Sequence, residues 1–153
     1  MNKVKLSDII NALEFQFDES SSFIDKRTNE VCVISDEELS YAEDGNDDYP
    51  GWMEENIAIA KAYLEDDSNF IALPLQEEVN EYRIMENFAN SITDKHNQDK
   101  LFIALSGKGA FRRFKDTVNF LGIADGWYKY RDDQYKKFAL EWCEMNGIEV
   151  SDN

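Results

Sequence analysis

The segment Ser106-Gly107-Lys108-Gly109-Ala110-Phe111-Arg112-Arg113-Phe114-Lys115 sets two glycines and a lysine at the start of a helical apolar stripe. A helix start presents free backbone N–H groups and the positive end of the helix dipole, so an anion can be held there with help from Lys108. On a helical wheel Lys108, Arg112 and Lys115 fall on one flank of Phe111 and Phe114, and Arg113 on the other. The Gly-x4-Gly-Lys spacing of a nucleotide-binding loop is absent, and a helix rather than a strand precedes the glycines. The competing reading is a tight helix–helix turn whose cations neutralise an acidic chain.

Arg131 is the second candidate. It falls in the middle of a face formed by Trp127, Gln134, Phe138, Trp142 and Met145, with Tyr130 and Tyr135 at its edges. A guanidinium among aromatic rings needs a carboxylate, a carbonyl or a ligand, because a buried unpaired charge is costly. Glu78 and Glu81, placed on the apolar side of the first turn of the helix carrying Tyr82, Met85 and Phe88, are the expected partners. A structural ion pair with aromatic stacking is favoured, and a ligand-binding arginine is the sharper alternative.

Other chemistry leaves fewer tracks. Asp44, Asn46, Asp48 and Glu55 match positions 1, 3, 5 and 12 of an EF-hand loop, but Tyr49 stands where the tight turn requires glycine. That loop reads as a solvated acidic segment. His96 is the only histidine and sits in a polar run. With Cys32 and Cys143 it shares no metal-ligand spacing, and no Gly-x-Ser-x-Gly elbow is present. No metal and no cofactor are expected.

The elements that must position these groups follow from periodicity. Leu6, Ile9, Ile10, Leu13 and Phe17 predict a first helix capped by Ser7, broken by Asp18 to Ser22. Phe23–Asp25 and Glu30–Ile34 predict a β-hairpin whose turn ends on Asn29, and Ser35-Asp36-Glu37-Glu38 is a capping box. A helix from Trp52 to Glu65 carries two apolar ridges, one with Met53, Ile57, Ala60 and Leu64, the other with Trp52, Ile59 and Tyr63. Phe70–Leu73 reads as a short strand. Further helices carry Tyr82–Ile92, Leu101–Leu105, Phe111–Leu121 and Asp125–Asn146. The fold class is α+β: a mostly helical single domain over residues 1–153, with a hairpin and one further short strand.

Charge is polarised along this chain. Its 32 acids against 16 Lys and Arg leave a net −16, all of it in the N-terminal two-thirds, while residues 99–153 hold nine of each sign. Such a surface repels nucleic acid and anionic membranes. No apolar run approaches the roughly 20 residues of a membrane helix, and the two cysteines read as buried thiols, so a cytoplasmic location is expected.

Taken together, Val4-Lys5-Leu6-Ser7-Asp8-Ile9-Ile10-Asn11-Ala12-Leu13-Glu14, Ile34-Ser35-Asp36-Glu37-Glu38, Leu73-Pro74 with Asn80-Glu81-Tyr82-Arg83-Ile84-Met85, Gly107 to Asp116, and Trp127-Tyr128 with Arg131 and Glu141-Trp142-Cys143 make the chain resemble the bacterial uncharacterised protein family (UPF) 0158 over nearly its whole length. The resemblance implies no activity or catalytic residues, so the candidates remain those the residues supply. The expected function is a binding or adaptor module that engages a protein partner or a small anionic ligand through Lys108, Arg112, Arg113, Lys115 and Arg131. Two alternatives stand beside it. One is an enzyme on a phosphorylated or carboxylated small molecule, with Glu78 or Glu81 as acid–base; the other is an acidic mimic of nucleic acid.

Overall fold

A computed structural model describes residues 3–16 and 18–151. The fold is α+β and divides into two compact units: unit 1 is Met1–Gln76 with Ala139–Asn153, and unit 2 is Glu77–Phe138.

In unit 1, β1 (Val4–Lys5) runs straight into α1 (Leu6–Glu14), which buries Leu6, Ile9, Ala12 and Leu13. Ser7 is not the cap. Lys5 occupies that position without a side-chain bond, because β1 pairs in parallel with β5 (Val150–Ser151), Val4 opposite Val150, and the strand fixes where the helix begins. Phe17, which the spacing adds to the first helix, lies outside the described residues.

β2 (Ser20–Asp25), β3 (Glu30–Ser35) and β4 (Phe70–Ala72) form an antiparallel sheet in the order β3-β2-β4. The first strand thus begins at Ser20, within the stretch expected to be a break. Serines have weak strand propensity, and here the pairing of Ser20, Ser21 and Ser22 with Ser35, Ile34 and Val33 overrides it. In the hairpin turn Asn29 adopts φ 57°, a left-handed conformation that asparagine tolerates. Asp25 is buried at the turn's entry, and its carboxylate accepts from the Arg27 backbone N–H (2.9 Å), Nε (3.0 Å) and Nη2 (2.8 Å). The Arg27 guanidinium in turn lies 5.2 Å from the Phe70 ring centroid, tying the turn to β4.

Ser35 and Glu38 form the capping box that opens α2 (Asp36–Asp44). Glu38 is itself buried, and its carboxylate also receives the Asn56 amide at 3.0 Å, which joins α2 to α3 (Glu54–Glu65). Gly51–Met53 form a 3-10 turn ahead of α3 rather than its first residues. Of the two ridges, Met53, Ile57 and Ala60 are buried while Leu64 is exposed. On the second, Tyr63 packs against Phe23 (ring centroids 4.7 Å) and Phe70 (5.6 Å), Ile59 is half-buried, and Trp52 stands 76% exposed. Gln16 holds the Leu73-Pro74 segment, donating to the Pro74 carbonyl and accepting from the Gln76 N–H, both at 2.8 Å.

Unit 2 is helical. α4 (Gln76–Val79), which starts on the last residue of unit 1, is followed by α5 (Glu81–Ser91), α6 (Lys95–Ala104), α7 (Ala110–Phe120) and the first part of α8 (Ala124–Met145). Trp127 is fully buried, edge-on to Phe88 (5.4 Å) and Phe114 (4.8 Å), and such packing adds roughly 0.5–1.5 kcal/mol per pair beyond burial alone. The buried face of α8 differs from the expected one. Trp127, Tyr135, Ala139 and Cys143 are buried, whereas Met145 is 78% exposed. These residues follow a ridge of four-residue steps that drifts around the helix, and the boundary between the units falls at Phe138/Ala139, so the two ends of α8 serve different cores. Among the described residues no helix is long and apolar enough to cross a membrane.

Asp25 carries a pH signature. The Arg27 hydrogen bonds hold its carboxyl below the ordinary aspartate value of 3.8. A carboxyl depressed in the folded state stabilises above the unfolded value and loses that contribution as pH falls through the folded one. In urea titrations, wild type is expected to exceed Asp25→Asn in stability at neutral pH, and the gap to close as pH drops below 3.8.

Candidate functional site

The glycine turn links α6 to α7, and its shape is dictated by carbonyls. The last carbonyls of a helix lack intrahelical donors and must find others. Here Arg113, one turn into α7, reaches back: Nε donates to the Ala104 carbonyl at 3.1 Å, while Nη1 and Nη2 donate to the carbonyls of Lys108 and Ser106. Tyr82 completes the set, its hydroxyl donating to the Leu105 carbonyl at 2.9 Å. Convergence of the turn on one guanidinium requires left-handed backbone, and Gly107 and Gly109 both have φ 75°. A Cβ at Gly109 would sit 3.3 Å from Arg113 Nη1, against 4.0 Å from Nη2 at Gly107.

Arg113 is therefore engaged within its own turn. The side chains of Lys108, Arg112 and Lys115 are exposed and make no hydrogen bond or ion pair among the described residues. Phe111, 47% exposed, stacks on Tyr82 with ring centroids 6.4 Å apart. On the opposite flank α6 and α7 enclose a groove of about 540 Å³, lined by Ile103, Ala104, Thr117, Phe120, Lys100, Arg113 and Asp116. Ile103 and Phe120 are 71% and 80% exposed. Sequence reasoning passed over both because it followed only the core stripes; the signal was an apolar residue off the stripe on each helix.

Arg131 has partners of its own within unit 2. Its Nε lies 2.5 Å from a Glu81 carboxylate oxygen, with side-chain exposures of 18% and 15%. The guanidinium carbon is 4.4 Å from the Tyr135 ring centroid, and Nη2 is 3.4 Å from the Tyr135 hydroxyl. Glu81 is the first residue of α5, where the helix dipole favours a carboxylate. Glu78 does not share that helix: Asn80, at φ 59°, breaks the chain between α4 and α5. The arrangement can hold a helix pair in register, and its charges are mutually satisfied.

The remaining candidates are placed as follows. Cys32 and Cys143 are free and buried; burial raises both thiols to about 11, with Asp25 and Glu30 adding to the effect on Cys32. A thiol so raised is a poor nucleophile. In the acidic loop the Asn46 side-chain oxygen accepts the Asp48 N–H at 2.9 Å, and Asp47 lies 3.7 Å from Lys61. Among the described residues no group of three or more His, Cys, Asp or Glu is arranged to hold a metal ion.

The uncharacterised protein family UPF0158 matches residues 2–152, and the chain belongs to that family. A UPF0158 protein of Pseudomonas aeruginosa is 27% identical over 67 residues, 43% of this chain and 44% of the relative's own length. The match thus spans less than half of that relative. No solved structure matches.

Two outcomes test the geometry. Gly109→Ala should cost about 1–2 kcal/mol in urea unfolding and more than Gly107→Ala, since only Gly109 adds a tight contact to the φ strain. In an Arg113→Ala background that difference should vanish. Arg131→Ala should cost about 3–5 kcal/mol, the range for removing one partner of a buried ion pair. Arg131→Met should recover much of that loss and Arg131→Lys little, measured by the same titration.

Proposed function

We propose that the chain is a cytoplasmic binding module whose α6–α7 side of unit 2 faces a protein partner with an acidic surface. What supports this reading is one observation: Lys108, Arg112 and Lys115 stand exposed and unpaired among the described residues of a chain with 32 acids. Where acids outnumber bases two to one, intramolecular pairing is the cheap use of a cation, and three left in water on one turn are free to meet an external carboxylate. Arg113 and Arg131, whose donors are engaged internally, hold this surface and the helices behind it. Long-range attraction at such a patch sets association rate and salt dependence more than final affinity.

The partition of charge supports the same surface. Unit 1 holds 5 Lys and Arg against 22 Asp and Glu, and unit 2 holds 11 against 10. An acidic partner is repelled from one unit and accepted by the other, so orientation is selected before contact.

The test is affinity capture from the native host with quantitative mass spectrometry. Wild type should enrich a protein that the triple variant Lys108→Glu, Arg112→Glu, Lys115→Glu loses by about tenfold or more, and rising salt should weaken the wild-type interaction. Equal recovery by both proteins would refute the proposal. A small anion in place of a protein would appear as a phosphate-dependent rise in Tm that the triple variant lacks.

A further inference from the structure

On the groove between α6 and α7, which the charged flank does not use, we infer that an amphipathic helix of the partner seats. Its apolar side lies on Ile103, Ala104 and Phe120, and a carboxylate meets Lys100. The inference rests on the reading of this hairpin as the partner-facing surface and names what that surface receives. Two packed helices leave a furrow into which the side-chain ridge of a third can set, which is the usual way a helical partner is held. The furrow's rims are the large apolar side chains Ile103 and Phe120, exposed to 71% and 80%. Its floor includes Ala104 and Thr117, small enough to admit a side chain from outside.

Charge selects the occupant. Lys100 Nζ rests 5.4 Å from the Phe120 ring centroid and makes no ion pair among the described residues, so a cation waits at the apolar rim. Lys100 to Lys115 contains five basic residues and no acid; Asp116 is the one carboxylate lining the groove. A basic helix would be opposed, and an acid-bearing one favoured. A second copy of this chain fits poorly, because self-pairing of the hairpins brings their cations together and each chain carries a net −16.

A photo-crosslinking amino acid replacing Ile103 or Phe120 in the full chain, activated in the native host, tests the assignment through the identity of the linked peptide. The expected product is a partner segment with apolar residues at i, i+3, i+4 and i+7 and acidic residues alongside them. Lys100→Glu should lower its yield about tenfold, while Lys100→Gln lowers it less. A linked segment that is basic, lacks helical spacing or comes from the chain itself overturns the inference, as does a yield indifferent to Lys100→Glu. Absence of any linked protein at both positions also overturns it. The two readings fail separately: a captured partner that depends on Lys108, Arg112 and Lys115 but links to an extended segment leaves the surface standing and removes the helix.

Discussion

A guanidinium carries five N–H donors in a rigid plane, and a helix ends in carbonyls that need donors. Arg113 joins these two facts. By donating to the carbonyls of Ala104, Ser106 and Lys108 it closes α6, fixes the path of the turn and sets the start of α7 against α6. Both the groove and the free cations inherit their places from that closure. A lysine at this position would lack the reach of the planar fork, because the three N–H groups of an ammonium radiate from a single nitrogen. The glycines answer to the same constraint, for a turn that directs its carbonyls inward must take left-handed backbone.

Charge segregation gives the fold a second organising feature. The acidic excess belongs wholly to unit 1, which holds 22 acids to 5 bases, whereas unit 2 is near balance. Among the described residues of unit 1 two carboxylates are withdrawn from water, Asp25 and Glu38, and each is met by donors: Arg27 for the first, Ser35 and Asn56 for the second. The remaining exposed acids repel one another at modest cost in water and salt.

What the sequence revealed was local. Asn29 in the hairpin turn, the Ser35–Glu38 capping box, and Gly122 and Gly147 at the ends of α7 and α8 are short-range devices, and each stands where its signal lay. Features that depend on distant residues were not visible. Ser20 pairs with Ser35, Val4 with Val150, and Asn56 finds Glu38 across 18 residues. The α8 face was misjudged for a related reason: one helical wheel assumes one core, and this helix meets two. At the candidate site the residue types were legible but their employment was not. The guanidinium that looked ready for an anion serves its own backbone, and of two carboxylates three positions apart, a left-handed Asn80 decides which one opens α5.

The pairing of β1 with β5 bears on how the chain is made. Unit 1 is interrupted: its sequence begins before unit 2 and is completed only after it, by Ala139 onward. On the ribosome unit 2 emerges as one contiguous stretch, while unit 1 receives its second segment only after unit 2 has been made. Joining Val4 to Val150 closes nearly the whole described chain into a loop, an entropic cost of about 4 kcal/mol that only prior folding of the intervening residues can relieve. The small parallel pair thus joins two strands that synthesis delivers on either side of unit 2.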